Sequence, residues 1–556
     1  MIVAEVVGRT LAALGVDMVF GVVGGGNFRV TSALVNGGAR FIAARHEGGA
    51  ATMADAYARV SGKVGVVSVH QGPGLTNVLT GLTEAAKSGT PLVVLAGEAT
   101  DPRSGRHIDQ DALAAAVGAV PMRVEDAGSA AGTAAEAYAT ATRDRRVVLL
   151  NLPLEVQHAD APPAAGEPPA LPVRDAAPLA RVWPDSGAEA LAWMLMRSGK
   201  PVFVAGRGAR HARRELEELA DLVGALLATS TAAKGLFRGS PWDLDVSGAF
   251  SSPLTARLIR GADIMVAWGC SLNPWTTRHG ALIGPGTEVV QVDLDPESIA
   301  THRRVSLGLA GDISDVAAAV AGALRPAGSH PSNPVLRGYR TRALADRIAA
   351  ERAWRSVPYE DESGDGRIDP RTLTIALDDL LPGERIVATD SGNFMGYPVM
   401  FLDVPDEGGF CFTQGFESIG LGLATAVGAA LARPDRLPVA AIGDGGALMG
   451  IAELETVVRL GLPMVIVVYD DETYGAEAHR LPGHRLETVT SPPADLASIA
   501  RGYGCAAVTV TALRDLDAVA TWLNGPRDRP LLVHAKITRD HHPWWLEGSP
   551  ERPRPA

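Results

Sequence analysis

Short apolar runs alternate with helically spaced apolar positions along most of this chain. In the first third the runs fall at 18–23, 64–69 and 91–95, and residues 50–60 carry a helical pattern. The last third repeats the alternation, with runs at 386–389, 439–442 and 464–469. The middle third adds runs at 201–205, 264–268 and 289–292. Strand–helix alternation of this kind predicts parallel sheets covered by helices on both faces. The chain reads as α/β, with three Rossmann-like domains built on parallel sheets.

Proline punctuates the pattern twice. Residues 159–185 hold Pro162, Pro163, Pro168, Pro169, Pro172, Pro178 and Pro184, and residues 325–335 hold Pro326, Pro331 and Pro334. Both stretches read as linkers. They set off three parts of domain size, at 1–160, 185–325 and 365–540.

The two outer parts resemble each other. With Glu47 set against Glu417, a helix follows in each (48–60 and 419–432), then a strand (64–69 and 439–442). A glycine turn comes next, Gly72-Pro73-Gly74 in one and Gly443-Asp444-Gly445 in the other, and then a helix and a further strand (92–95 and 465–469). The offset stays at about 370 residues, and an ordered series of this length is better explained by two copies of one fold than by chance.

The second copy carries the stronger chemistry. Gly443-Asp444-Gly445 closes one apolar strand and Asp470-Asp471 closes the next, with a helix between them marked by Leu448, Ile451, Leu454 and Val458. In a parallel sheet such strand ends lie side by side at the ligand-binding edge. Two side-chain oxygens beside a glycine-opened backbone suit a hard divalent cation such as Mg²⁺ holding a phosphate group. In the middle part, Gly206-Arg207-Gly208-Ala209-Arg210 is half of a dinucleotide fingerprint and points only weakly to a nucleotide.

Composition narrows the classes. The 556 residues carry a net charge of −12 with no basic run, which argues against a nucleic-acid partner. No run of 18 apolar residues occurs, so no membrane span is expected. Met1-Ile2-Val3-Ala4-Glu5 lacks the basic and apolar regions of a signal peptide, and a cytoplasmic location is expected. Cys270, Cys411 and Cys505 form neither a CxxC pair nor a disulfide framework and read as buried free thiols.

These motifs, in this order over most of the chain, resemble the thiamine diphosphate-dependent 2-oxo-acid decarboxylase and acetolactate synthase superfamily. The resemblance implies a pyrimidine-binding domain first, a middle domain next and a diphosphate-binding domain last. It implies that Asp444, Asp471 and the backbone oxygen of Thr473 ligate Mg²⁺. The superfamily usually ends this motif in Asn-Asn, where this chain has Asp470-Asp471. The added carboxylate either strengthens the metal site or weakens diphosphate retention by Coulomb repulsion.

The same resemblance sets Gly443, Gly445 and the Gly446 amide against the diphosphate, with Ser391-Gly392-Asn393 as a second diphosphate turn. Ser418-Ile419-Gly420 is similar to the segment whose bulky residue wedges between the two cofactor rings. Ile419 would then hold the bent conformer, and the Glu417 carbonyl would accept from the 4′-amino group. Arg45-His46-Glu47-Gly48-Gly49-Ala50-Ala51 is similar to the segment bearing the family's catalytic glutamate. Glu47 would protonate the pyrimidine so that the 4′-nitrogen can take the proton from thiazolium C2. Its small uncharged neighbours fit an apolar pocket that raises a carboxyl pKa.

The fate of the enamine left by CO₂ loss separates the family's reactions. Protonation gives an aldehyde, and attack on a second carbonyl gives an acyloin or acetohydroxyacid. His70 ends the run 64–69, where benzoylformate decarboxylase-like members place a proton-relay histidine. Glu477 follows Tyr474-Gly475-Ala476, where pyruvate decarboxylase-like members carry an active-site glutamate, and His479 stands two residues on. His541-His542-Pro543-Trp544-Trp545 reads as a surface tail packed on its tryptophans. Residues 103–111 occupy the region of the synthases' glutamine-bearing substrate loop, but no basic residue is found at Pro121 or Met122, and Gly24-Gly25-Gly26-Asn27 replaces the commoner Pro-Gly turn.

The favoured reading is a carboligase of the acetolactate-synthase type, acting on a 2-oxo acid and a second carbonyl. A simple decarboxylase is the second reading. A catalytically silent subunit of the same fold is the third, and Glu47 argues against it. Relatives bring the counterparts of Glu47 and Asp444 together across a subunit interface, so a homodimer or homotetramer is expected. Acetolactate synthases also hold FAD in the middle domain, which the half-fingerprint leaves open.

Overall fold

The computed structural model describes residues 1–161, 185–325, 338–480, 486–539 and 544–546. The proline-rich stretches expected to be linkers lie almost wholly outside the described residues, as do His541, His542 and Pro543.

Three six-stranded sheets carry the chain. The first holds β1 (Met18–Gly21), β2 (Arg40–Ala43), β3 (Gly65–Val69), β4 (Leu92–Glu98), β5 (Val120–Arg123) and β6 (Val147–Pro153). The second holds β7 (Pro201–Ala205), β8 (Leu226–Thr229), β9 (Asp243–Val246), β10 (Ile264–Trp268), β11 (Glu288–Asp293) and β12 (Leu307–Ala310). The third holds β13 (Arg385–Thr389), β14 (Phe410–Phe412), β15 (Leu437–Gly443), β16 (Val465–Asp470), β17 (Ala506–Val510) and β18 (Leu531–Lys536). Neighbouring strands pair in parallel in every sheet. Strands β3, β4, β6 and β16 are buried at every position, as covering on both faces requires.

The topology separates the outer sheets from the middle one. The first runs β2-β1-β3-β4-β6-β5 and the third β14-β13-β15-β16-β18-β17, the same order with each label raised by 12. The repeated motifs therefore sit on two copies of one topology. The second runs β9-β8-β7-β10-β11-β12, the dinucleotide-fold order 3-2-1-4-5-6.

The two copies pack through the helices Glu47–Ser61 and Gly422–Ala432. Both are rich in glycine and alanine and buried along most of their length, so their backbones approach closely. A side chain at Gly428 would overlap the Met53 carbonyl. One apolar core then runs through both copies, taking in Val67 and Val94 from the first sheet and Ile442 and Val468 from the third.

Two helices differ from the sequence expectation. The single helix expected across Leu448–Val458 is two, Asp444–Met449 and Glu453–Arg459. The break falls at Gly450, where a Cβ would stand 3.0 Å from the Gly420 carbonyl. A neighbouring loop presses on the chain there, and Leu448 is left exposed while Leu454 is buried. The helix expected from residue 419 begins at Gly422. Asp390 takes the Gly420 and Leu421 N–H groups, and Gly420 sits at φ +88°.

Candidate active site

Strands β13, β15 and β16 end side by side, with Thr389 opposite Ala441 and Gly443 opposite Tyr469. A cavity of about 330 Å³ opens beyond these ends, at the point where strand order reverses about β13. Its wall includes Ser391, Gly392, Asn393, Ile419, Gly443, Asp444, Gly445, Gly446, Asp471, Thr473 and Glu477. The C-terminal sequence motifs thus converge on one hollow.

Two of the carboxyls in its wall, Asp444 and Asp471, are shifted by their surroundings. Burial, and then the facing Asp471 and Asp470, push Asp444 up to about 8. Burial pushes Asp471 up to about 6, against the Thr473 N–H that donates to its Oδ1 at 3.1 Å. Asp470 plays another part. Although burial opposes its charge, His534 and Lys536, each 2.6 Å from its Oδ2, hold it below the usual carboxylate range. Asp470, the last residue of β16, is thus turned to His534 and Lys536, while the next residue, Asp471, reaches the cavity wall.

The turn after Asp471 is built for strain. Glu472 adopts φ +56°, in the left-handed region that a side chain disfavours. Arg367 at 2.8 Å, Lys536 at 3.1 Å and Arg539 anchor its carboxylate. Thr473 bridges to Thr490 across this turn.

The loop 413–420 reaches the cavity through Ile419, and three regions of the chain hold it. Asp390, buried at the end of β13, accepts from Ser391, Gly420 and Leu421, and burial pushes its carboxyl up to about 6. Glu84 of the first sheet's layer accepts from Gly415 and Phe416. Trp275, from the middle part, donates its indole N–H to Glu417 Oε1 at 2.8 Å. Glu417 sits at φ +59°. Ile419 is the loop residue that reaches the cavity wall.

Four expected site residues are not part of that wall among the described residues. Glu47 opens the helix Glu47–Ser61, half-buried, and accepts from the Asn77 amide at 2.9 Å. Within this chain its immediate contact is therefore polar as well as small. His70 follows β3, and its Nδ1 lies 3.1 Å from the donating Gly26 N–H. Burial, and then Arg106, lower its pKa, with Glu47 opposing them. Neutral His70 thus carries its proton on Nε2. Glu417 is exposed and turned to Trp275, and His479 is half-buried on the helix Gly475–Arg480.

The sequence reading missed several residues that shape these sites. Asp390, Glu84 and Trp275 lie outside the recognised motifs, and only Asp390 is next to one. Arg123 stands one position beyond Met122 and makes a two-point contact with Glu98, at 2.7 and 2.9 Å, besides pairing with Asp111. Gln110, in the expected substrate loop, is buried and donates to Asn151 at 2.7 Å. Trp545 is 1% exposed and packs against Gly396 and Tyr397, so this part of the expected tail belongs to the core.

A larger cavity, about 1150 Å³, lies where the three sheets' layers meet and is lined by Arg59, Arg207, Arg210, Trp275 and Asp293. Burial, and then Arg59, Arg145 and Arg210, pull Arg207 down to about 9. The glycines of the half-fingerprint are explained by packing. A side chain at Gly206 would overlap the Gly269 carbonyl, and one at Gly208 would stand 3.0 Å from Gly269 Cα.

Among the described residues, no cluster of three His, Cys, Asp or Glu side chains is arranged to hold a metal. Two carboxylates and a backbone carbonyl are nonetheless the sparse donor set that Mg²⁺ takes when a phosphate supplies its remaining oxygens. A cation there would also relieve the mutual repulsion of Asp444 and Asp471. Glycine leaves the backbone of this turn bare for a diphosphate, since a Cβ at 443 or 445 would crowd Phe394 or Tyr474 of the wall and one at 446 would overlap the buried Asp390. Asn393 Oδ1 is buried without a hydrogen-bond partner in the protein, an acceptor left in the wall for a ligand's donor group or a cation.

The chain matches one family along most of its length. Residues 1–119 match the thiamine pyrophosphate enzyme N-terminal TPP binding domain, 188–320 the central domain and 390–535 the C-terminal TPP binding domain. The chain is 28% identical to the acetolactate synthase isozyme 2 large subunit of Escherichia coli, over 98% of this chain and 97% of that protein. It is 30% identical to a probable 2-ketoarginine decarboxylase of Pseudomonas aeruginosa, over 92% and 89%. It is 27% identical to the sulfoacetaldehyde acetyltransferase of Alcaligenes xylosoxydans, over 91% and 88%. The solved Rhodococcus jostii thiamine diphosphate-dependent 4-hydroxybenzoylformate decarboxylase shares the fold, with a TM-score of 0.79 at 23% identity over 97% of this chain and 100% of that one. The chain belongs to the thiamine pyrophosphate enzyme family, with that family's N-terminal, central and C-terminal domains in order.

Proposed function

We propose that this chain is a thiamine diphosphate- and Mg²⁺-dependent carboligase that decarboxylates a 2-oxo acid and joins the remaining fragment to a second carbonyl. The observation that carries the reading is the convergence of Asp444, Asp471, Thr473 and Ile419 on one cavity at the switch point of the third sheet. When bound, the cofactor supplies a nucleophilic carbon that adds to the 2-oxo acid and accepts the electrons released with CO₂.

The chain's own residues do the rest. Asp444, Asp471 and the Thr473 carbonyl hold the metal against the diphosphate. Ser391, Gly392, Asn393, Gly443, Gly445 and Gly446 hold the diphosphate oxygens, and Ile419 and the Glu417 carbonyl orient the rings. Glu47 exchanges a proton with the pyrimidine. His70, with an N–H at Nε2, donates to developing negative charge on the substrate, and Glu477 and His479 complete the proton transfers.

Because Glu47 stands apart from the Asp444 cavity within one chain, Glu47 of a second copy serves it. This reading takes the assembly to be a homodimer or homotetramer with interfacial sites, acting in the cytoplasm. The arginine-lined cavity suits an anionic dinucleotide such as FAD, and a visible flavin absorbance band in purified protein tests this.

Two relatives named as acetolactate synthase and sulfoacetaldehyde acetyltransferase support the ligase reading. A relative named as a probable 2-ketoarginine decarboxylase supports a second reading, simple decarboxylation. Incubation with thiamine diphosphate, Mg²⁺ and a panel of 2-oxo acids, alone and with aldehyde or ketone acceptors, separates them. CO₂ with a coupled product supports the ligase, CO₂ with aldehyde alone supports the decarboxylase, and cofactor binding without turnover overturns both.

A further inference from the structure

The turn ahead of Glu47 and the loop ahead of Ile419 are each fastened by a glutamate from the opposite copy of the repeat. Glu453 Oε1 accepts the backbone N–H of Arg45 at 3.0 Å and of His46 at 3.1 Å. Glu84 Oε1 accepts the N–H of Gly415 at 2.9 Å, and its Oε2 that of Phe416 at 2.6 Å. The partners follow the repeat: Arg45, His46 and Glu84 precede Gly415, Phe416 and Glu453 by about 370 residues each.

Both carboxylates are buried, Glu84 at 1% and Glu453 at 3% exposure. Burying a charge costs several kcal/mol unless its oxygens are satisfied. Arg59 at 2.7 Å supports Glu84, and the Thr456 hydroxyl at 2.6 Å supports Glu453. The fit is close, since a side chain at Gly49 would overlap Glu453 Oε1 and a Cβ at Gly415 would stand 3.2 Å from Glu84 Oε1. Each glutamate thus holds a pair of backbone amides one to four residues ahead of a group assigned to the cofactor.

We propose that Glu453 and Glu84 are reciprocal positioning residues: Glu453 sets the turn that delivers Glu47 to one cofactor site, and Glu84 sets the loop that delivers Ile419 to the other. The inference rests on the proposed function, because it takes Glu47 and Ile419 as groups that face thiamine diphosphate. It assigns the two clamps different consequences. Loss of the Glu453 clamp misplaces the proton-exchanging carboxyl and leaves the metal and diphosphate site intact. Loss of the Glu84 clamp misplaces the ring-orienting loop of that site.

Three readouts on the full-length protein test it. Hydrogen exchange of the cofactor-free chain reads the clamps directly: Glu453→Ala is expected to lose protection at 45–46, and Glu84→Ala or the milder Glu84→Gln at 415–416. The exchange rate of the C2 proton of thiamine diphosphate, with Mg²⁺ in D₂O, reads the position of Glu47. Glu453→Ala is expected to slow it at least about tenfold and to leave the cofactor dissociation constant nearly unchanged, and Glu453→Gln, which keeps an acceptor, restores it. Glu84→Ala is expected to raise the dissociation constant severalfold. Wild-type protection at 45–46 in Glu453→Ala overturns the proposal. So does C2 exchange at the wild-type rate in that variant, or an equal loss of cofactor affinity in both. Wild-type protein that shows the clamps by hydrogen exchange but binds no cofactor overturns the proposed function instead.

Discussion

Asp390 Oδ2 stands where residue 446 would carry its side chain, so Gly446 has no room for a Cβ. The same oxygen accepts the Gly420 N–H at 2.9 Å. One buried carboxyl therefore fixes both the glycine turn of the cavity and the end of the loop bearing Ile419. Gly446→Ala is expected to cost about 1–3 kcal/mol through overpacking and to weaken thiamine diphosphate binding together with stability. Gly132→Ala, in the helix Ala130–Arg143 with open space where its Cβ would go, is expected to be neutral or mildly stabilising. Denaturant midpoints and cofactor titrations of the two variants check the contrast.

The stability supplied by Glu84 depends on pH with a definite sign. Burial opposes its charge, but Arg59 and the Gly415 and Phe416 N–H groups outweigh it and lower its pKa from 4.5. A lowered folded pKa gives stability that is complete above the ordinary value and is lost as pH falls through the folded one. Glu84→Gln is expected to be less stable than wild type by about 3 kcal/mol at neutral pH, with the gap narrowing below about 4.5. Unfolding curves across that range check it, and a gap that widens on acidification is the contrary result.

The sheet alternation, the repeat and the cofactor motifs were legible because each is local. A strand followed by a glycine turn and a carboxylate reads as such without its neighbours. Glu84, Asp390, Glu453 and Trp275 were not legible, because each acts through backbone amides or side chains distant in sequence. Glu84 looks like an ordinary helix residue until Arg59 and Phe416 are brought beside it. The split helix was hidden for the same reason: the apolar spacing of Leu448, Ile451, Leu454 and Val458 is helical, and the break falls at Gly450, where the distant Gly420 carbonyl leaves little room for a side chain. Asp470 and Asp471 are the same residue type side by side, and only the resemblance singled out Asp471; the contacts of Asp470 with His534 and Lys536 supply the physical reason.

Trp275 binds Glu417 from a scaffold of its own. Its ring stacks on Phe250 at a centroid distance of 6.2 Å, and its carbonyl accepts from Ala249 at 2.9 Å. Trp275→Phe keeps the ring and removes the N–H. It is expected to lower kcat threefold to tenfold, about 1 kcal/mol, with less change in KM. Combined with Glu417→Ala, it is expected to show non-additive losses; strictly additive losses mean the two residues act separately.

Sharing of sites between copies is open to a mixing test. Glu47→Gln and Asp444→Ala chains each lack one half of the proposed site, and each alone is expected to be inactive. Dissociated and reassociated together, they form hybrids with one intact site, and activity is expected to return to about a quarter of wild type, the product of random dimer mixing and half-occupied sites. Absence of any recovery from verified hybrids means that one chain builds the whole site.

The central claim is that Glu47 drives cofactor-dependent decarboxylation on this fold. Its most direct test is the rate of CO₂ release from the best 2-oxo acid by wild type and Glu47→Gln, both loaded with thiamine diphosphate and Mg²⁺. A loss of at least about a hundredfold, with the cofactor still bound, is the predicted result. Equal rates in the two proteins would contradict the account.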